Sequence, residues 1–338
     1  MVKQEKLRWG ILGAARINQQ LMPAIVAAEN SELLAMASRR PGAAAETLAK
    51  YAPEQQNIRI FDDPNSLLED PDIQAVYIPL SNHEHAEWTL RAIKQGKHVL
   101  CEKPMALKRA DIEAIEAAAY EEKVVVMEGF MYRFHPQHAK LMNIINNGMI
   151  GEVRMVKSSF AFMLQPAREY RIADPVEKGG GAMWDIGCYA IHAARFPFMK
   201  EAPLSVAAMV KFTKSGVDLG GCGSIDYGNG RYAQFEYSFE HARRAEYEVI
   251  GTKGGLKCHN VWAKPNEHPV ISWWTEDGEN GLETLAVANH FLLEIEHFSD
   301  CVLNNKSPAL SVADSEINCQ VIVAALQSNK EGKSIKLV

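Results

Sequence analysis

The sequence predicts an α/β chain in two parts: a parallel sheet wrapped by helices, then an α+β domain with a large, mostly antiparallel open sheet. Three observations predict it. From Leu7 to about Met127, short apolar runs alternate with amphipathic segments, the pattern of βα units whose strands are buried on both faces. Beyond that point the apolar runs follow one another across tight turns such as Tyr227-Gly228-Asn229-Gly230 and Lys253-Gly254-Gly255, which join antiparallel neighbours. The length, 338 residues with 47% hydrophobic and 23% charged side chains, suffices for two packed cores. The expected division is 1–127 and 128–338.

Leu7 to Leu12 reads as the first strand, and Gly13-Ala14-Ala15-Arg16-Ile17-Asn18 leads into a helix with Leu21, Ile25 and Val26 on one side. This is the strand-turn-helix that opens a dinucleotide-binding, Rossmann-type sheet. Aligned from Gly13, the second glycine of the G-x-G-x-x-G fingerprint is Ala15 and the third is Asn18, so the turn alone fits another βαβ protein equally well. Alanine still lets a pyrophosphate approach the helix N-terminus, whose N–H groups and dipole attract it. Gly13, Ala14, Ala15, Arg16 and Ile17 are therefore candidate cofactor contacts. The second strand, Leu33 to Ala37, ends in Ser38-Arg39-Arg40, ~20 to 25 residues downstream, where such folds read the adenosine ribose. An acid there bonds the 2′-hydroxyl of NAD, whereas a hydroxyl and two guanidinium groups suit a 2′-phosphate. NADP is the expected cofactor, with NAD the alternative.

Alternation continues through the strand Ile58 to Phe61, the acid-rich turn Asp62-Asp63-Pro64, the strand Ala75 to Ile78 and a helix from about His83 to Gln95. The run His98 to Cys101 is a buried strand that stops at Glu102-Lys103-Pro104. Ligands of open α/β sheets bind beyond the carboxyl ends of strands, so Lys103 stands where a ligand would be, although a lone lysine on such a loop is ordinarily surface charge. A helix from Arg109 to Glu122 and a strand from Val124 to Met127 nearly complete this half.

In the second half, Val153 to Phe162, Ser205 to Phe212, Gly221 to Tyr227, Tyr232 to Phe239, Ala245 to Ile250, Gly255 to Cys258 and Val270 to Trp274 read as strands. The informative interruption is Gly179-Gly180-Gly181 followed by a helix carrying Asp185, Tyr189 and His192. Offsets of four and three place these on one helical face. Any one of them could be a wet-side residue, but Ile186, Cys188, Ala190 and Ile191 between them are apolar, so the helix is expected to be buried nearly all round. A buried carboxylate and phenol need partners, and Lys103 is a candidate. Helices near Ala288 to Leu303 and Ser311 to Ser328 close the chain.

Net charge is -6, with 42 acids and 36 bases interspersed, which disfavours a nucleic-acid partner and points to a small molecule. The six cysteines form no Cys-x-x-Cys pair and read as reduced, mostly buried thiols. His83 and His85 face different sides of a helix, and His135 and His138 lack a third ligand, so no metal site is expected. Neither a signal core nor a membrane-spanning stretch is visible, and a cytoplasmic protein is expected.

Glu102-Lys103-Pro104 after a strand, and Asp185-x-x-x-Tyr189 behind the triple glycine, resemble the glucose-fructose oxidoreductase, inositol dehydrogenase and MocA family over nearly the whole chain. The resemblance implies that Lys103, Asp185 and Tyr189 are catalytic. It implies that Pro79, Leu80, Ser81, Asn82 and His85 pass along the nicotinamide ribose, that Glu102 and Lys103 face the cofactor, and that Arg133 reaches cofactor or substrate. Arg168, Tyr170 and Arg171 resemble the family's substrate loop, with His192 a weaker addition. The implied reaction moves a hydride between NADP and a sugar, ketosugar or cyclic polyol, the hydroxyl proton passing to Tyr189 with help from Lys103. A trans-dihydrodiol dehydrogenase, an NAD-dependent glycoside hydrolase and a non-catalytic NADP-binding regulator are the alternatives. Family habit also implies a homodimer or homotetramer through the second domain's sheet.

Overall fold

The computed structural model describes residues 5–262 and 264–337. The chain forms two units, one made of the chain up to Phe134 together with His290–Glu316, the other of His135–Asn289 together with the chain from Ile317.

In the first unit β1 (Leu7–Leu12), β2 (Ser31–Ala37), β3 (Arg59–Phe61), β4 (Ala75–Ile78), β5 (His98–Cys101) and β6 (Val126–Glu128) form one sheet in the order β3-β2-β1-β4-β5-β6. Every pair is parallel. The connections contain α1 (Asn18–Ala27), α2 (Ala43–Tyr51), α3 (Pro64–Glu69), α4 (His85–Lys94) and α5 (Arg109–Glu122). All four residues of β4 are buried, as expected of a strand covered by helices on both faces. Strand order reverses between β1 and β4, and a crevice for ligands opens beyond the carboxyl ends at such a point.

The turn expected at Asp62-Asp63-Pro64 starts a helix. Asp63 caps it, accepting from the Asn65 amide at 3.1 Å, and Pro64 takes the first helical position, where its missing N–H costs nothing.

The second unit contains α6 (Pro136–Asn146), β7 (Val153–Ala161), a π-helical turn at Met183–Gly187 that runs into α7 (Cys188–Arg195), and then β8 (Ser205–Phe212), β9 (Asp218–Gly228), β10 (Arg231–Ser238), β11 (Arg244–Gly251), β12 (Gly254–Cys258), β13 (Val270–Thr275), β14 (Asn280–Thr284) and, near the end, β15 (Ile335–Lys336). The sheet runs β14-β13-β12-β11-β7-β10-β9-β8-β15. It is antiparallel except at β7 and β10, which pair in parallel. The short helices α2 and α6 and the edge strands β14 and β15 went unread in the sequence.

Helix α8 (His290–Leu303) returns to the first unit, and α9 (Val312–Glu331) begins there and ends in the second. Trp9, fully buried in β1, donates from Nε1 to Ser31 Oγ at 3.3 Å and to Ser299 Oγ at 3.4 Å, and its ring lies 5.1 Å from that of Phe298. No helix among the described residues is long and apolar enough to cross a membrane. The six cysteines are free; Cys222 is exposed and the others are buried.

Candidate active site

In the first unit the turn after β1 is drawn tight by Asn18, which is fully buried and donates from Nδ2 to the Gly13 carbonyl at 2.9 Å. Gly13 has φ +128°, and a Cβ there would lie 2.9 Å from Leu80 Cδ2, so the loops after β1 and β4 touch where only a glycine fits. Helix α1 has no side-chain cap, and the amides of residues 14–17 donate to no group among the described residues. Such a cradle fits a dinucleotide's diphosphate.

Beside it, Arg40 Nη2 donates to the Ala14 carbonyl at 2.7 Å, and Arg39 Nη2 donates to Glu84 Oε1 at 2.5 Å. Ser38 Oγ accepts from the Arg40 amide at 3.2 Å. A hydroxyl and two guanidinium groups thus stand at the end of β2, next to the diphosphate turn.

The loop after β5 is held from three sides. Tyr77 Oη donates to Glu102 Oε1 at 2.7 Å, Glu128 Oε1 accepts from the Met105 amide at 2.8 Å, and His85, 1% exposed, has Nδ1 2.7 Å from the Pro104 carbonyl and Nε2 2.9 Å from the Leu80 carbonyl. Held neutral, His85 donates to one of these two carbonyls, tying either the loop after β4 or the loop after β5 to α4. Its ordinary pKa falls to about 4, chiefly through burial and with the Lys103 cation adding to it, while the two carbonyls oppose the change. Burial pushes the Glu102 carboxyl up against the pull of Lys103 and Tyr77. Arg133 lies on a short 3₁₀ turn, Met131–Phe134.

In the second unit, Arg168, Tyr170 and Arg171 lie on the 3₁₀ segment Pro166–Ile172. The Arg171 guanidinium pairs with the Asp185 carboxylate. Arg168 covers the ring of Phe162 at 5.8 Å, and Tyr170 is exposed. Phe160 and Trp262 stack at 4.0 Å, and the Tyr189 ring, 7% exposed, stands edge-on to both at 5.9 Å. That aromatic corner fixes where the phenol lies. His192 is fully buried.

The structure thus groups Gly13 to Ile17 with Ser38, Arg39, Arg40, Pro79 and Leu80, and separately groups Arg171 with Asp185 and Tyr189. Ser81 and Asn82 continue the loop after β4 into a 3₁₀ turn, Asn82–Glu84. Of the other histidines, His135 caps α6, its Nδ1 accepting from the Gln137 amide at 3.2 Å, and His138 Nδ1 lies 3.0 Å from Tyr247 Oη.

Sequence reasoning missed Asp218 and Tyr237. Asp218 is fully buried and its Oδ2 accepts from the Met183 amide at 2.7 Å, at the start of the turn that carries Asp185. Burial pushes its carboxyl up to about 6, against the backbone donors that lower it. The strand read from the sequence began at Gly221, so Asp218, the first residue of β9, fell outside it.

Comparison with known proteins identifies the family of the chain. The model of an oxidoreductase family with an NAD-binding Rossmann fold matches residues 7–130, and the GFO/IDH/MocA C-terminal domain model matches residues 138–257. A dTDP-3,4-didehydro-2,6-dideoxy-alpha-D-glucose 3-reductase of Actinomadura kijaniata is 33% identical over 305 residues, covering 89% of each chain. D-xylose 1-dehydrogenase (NADP(+)) 2 of Haloferax volcanii is 31% identical over 334 residues, covering 98% of this chain and 100% of the relative. The crystal structure of a 3-ketoreductase from Actinomadura kijaniata in complex with NADP and TDP-benzene has a TM-score of 0.87 at 31% identity, covering 96% of this chain and 98% of that one. The chain belongs to the glucose-fructose oxidoreductase, inositol dehydrogenase and MocA family of nicotinamide-dependent oxidoreductases.

Proposed function

We propose that the protein is an NADP-preferring oxidoreductase of a sugar, ketosugar or related cyclic polyol, with residues 1–127 holding the cofactor and 128–338 the substrate. The observation that carries the reading is Tyr189, fixed edge-on in an aromatic corner one turn from the Asp185–Arg171 ion pair. Bound NADP supplies the hydride acceptor. In the oxidising direction the hydroxyl proton passes to Tyr189 as the carbon becomes a carbonyl. Tyr189 takes up that proton as a phenolate, the form that a cation such as Lys103 favours, and Asp185 and Arg171 orient the substrate's hydroxyls. Arg168 and Tyr170 shape the rest of the substrate site.

The NADP preference is supported by Ser38, Arg39 and Arg40 at the end of β2 and by the NADP bound in the related ketoreductase. That relative and the xylose dehydrogenase support a sugar-like substrate. A groove of about 780 Å³ on the second unit's sheet, lined by Met209, Cys222 and Gly223 among others, supports a homodimer or homotetramer through that face, which light scattering in solution tests.

The main test follows nicotinamide absorbance over a panel of keto and hydroxy sugars, with a dTDP-linked ketosugar included. Tyr189→Phe and Lys103→Ala are expected to lose turnover on the order of a hundredfold or more while keeping NADP binding. Full activity in both variants defeats the assignment. Glycoside cleavage without net cofactor change, or no turnover at all, selects the hydrolase or the regulator. In the same titrations, Arg39→Ala is expected to weaken NADP about tenfold and leave NAD unchanged.

A further inference from the structure

Asp185 lies inside the π-helical turn, Met183–Gly187, whose extra residue per turn sets the angle between Asp185 and Tyr189. Such turns are rare and occur frequently at functional sites. Here a glycine stands at each end, and each gives way to one neighbour from the sheet. At Gly181, φ +105°, a Cβ would overlap Asp218 Oδ1. At Gly187 a Cβ would lie 3.2 Å from the Tyr237 ring. Asp218 Oδ2 accepts from the Met183 amide at 2.7 Å, the first residue of the turn. The Gly181 amide donates to the Arg171 carbonyl at 3.0 Å, so the point gripped by Asp218 also ties down the loop whose arginine pairs with Asp185. Tyr237 Oη faces the Asp218 carboxyl and feels its charge, yet neither it nor Asp218 Oδ1 completes a well-directed hydrogen bond. The grip on the turn therefore comes from Asp218 Oδ2 at one end and from the Tyr237 ring at the other.

We propose that Asp218, backed by the ring of Tyr237, is a positioning residue for the reaction: it clamps the π turn so that Asp185 and Tyr189 present their polar atoms to one substrate. This rests on the reading that those two residues act on the substrate. A side-chain oxygen acceptor is needed there because the Met183 amide stands at a helix start, where backbone amides lack an intrahelical partner.

The test uses the full chain as wild type, Asp218→Ala, Asp218→Asn and Tyr189→Phe, with D-glucose, D-xylose, myo-inositol and a dTDP-linked ketosugar as probes. The readouts are kcat, KM, NADP dissociation constant and melting temperature. Asp218→Ala is expected to lower kcat roughly a hundredfold, the scale of an ångström-level misplacement, with the NADP constant within about threefold of wild type. Asp218→Asn, whose amide oxygen still accepts from Met183, is expected to recover most of that loss. A merely structural Asp218 would lower the melting temperature and leave kcat of the folded fraction alone, and that result overturns the proposal. So does an Asp218→Asn variant as slow as Asp218→Ala; should Asp218→Ala not fold, Asp218→Asn with undiminished hydrogen-exchange protection at Met183 but a hundredfold lower kcat overturns it equally. Full activity in Tyr189→Phe, or no turnover of any probe by the wild type, removes the functional reading itself and the clamp's catalytic role with it.

Discussion

Glu294, on α8, is 2% exposed, and its Oε1 has no hydrogen-bond partner among the described residues. Burial, with the Glu102 carboxylate nearby, pushes its carboxyl well above the ordinary 4.5. A carboxyl that titrates higher in the fold than in the unfolded chain contributes stability that is fully present below about pH 4.5 and is lost as pH rises towards the folded value. Glu294→Gln has no proton to lose. Its stability relative to wild type should be flat below pH 4.5 and then rise by about 1.4 kcal/mol per pH unit until Glu294 ionises in the fold. Denaturant unfolding of both proteins from pH 4 to 8 checks it, and a pH-independent difference would refute the neutral carboxyl. Glu294 carried no signal in the sequence, where it is one acid among 42. The cofactor turn was half legible. Gly13 and the basic end of β2 could be read directly, but Asn18 looked like a defect in the fingerprint, and only its Nδ2 bond to the Gly13 carbonyl explains how the turn closes without a third glycine.

At the scale of elements, the helix that follows the triple glycine was legible in spacing and burial but not in pitch. Offsets of four and three between Asp185, Tyr189 and His192 suit an α-helix, and the near-complete burial of Met183 to Arg195 follows from the apolar residues between them. A π turn leaves no periodicity signal over five residues, and its support comes from Asp218 on β9 and Tyr237 on β10, brought there by sheet register rather than by sequence proximity. Short helices such as α2, whose run Ala43-Ala44-Ala45 has no amphipathic contrast, escaped for the same reason. If Asp218 fills the space that Gly181 leaves, the two positions are energetically coupled. Gly181→Ala should cost about 2 kcal/mol or more, from a left-handed φ and from overlap with the carboxylate. In an Asp218→Ala background the overlap is gone and the loss should shrink by about 1 kcal/mol. Additive losses in a denaturant double-mutant cycle would refute the packing argument.

At the scale of the whole molecule, the first unit is discontinuous in sequence. Its sheet is complete by β6, yet α8, which packs against β1, arrives only after His135–Asn289 of the second unit has been threaded. The dependence is concrete. Trp9 loses both the Ser299 hydroxyl and the Phe298 ring without it; Asn30 loses the Glu296 carbonyl, to which its Nδ2 donates at 2.9 Å; and the Phe134 ring loses His297, 4.9 Å away. Uncovering Trp9 and its apolar neighbours removes about 2–3 kcal/mol for each large side chain left bare, comparable to the whole margin of a small domain. The fragment 1–134 alone should therefore melt without cooperativity and bind an apolar-surface dye. The same fragment joined by a flexible linker to 290–316 should regain a cooperative transition and NADP binding, because the cofactor turn, the arginines at the end of β2 and the braced loop after β5 all lie within it. Calorimetry with dye fluorescence on the two fragments decides the matter: a cooperative, dye-silent melt of 1–134 by itself would mean that α8 is an accessory to the nucleotide fold and not one of its walls.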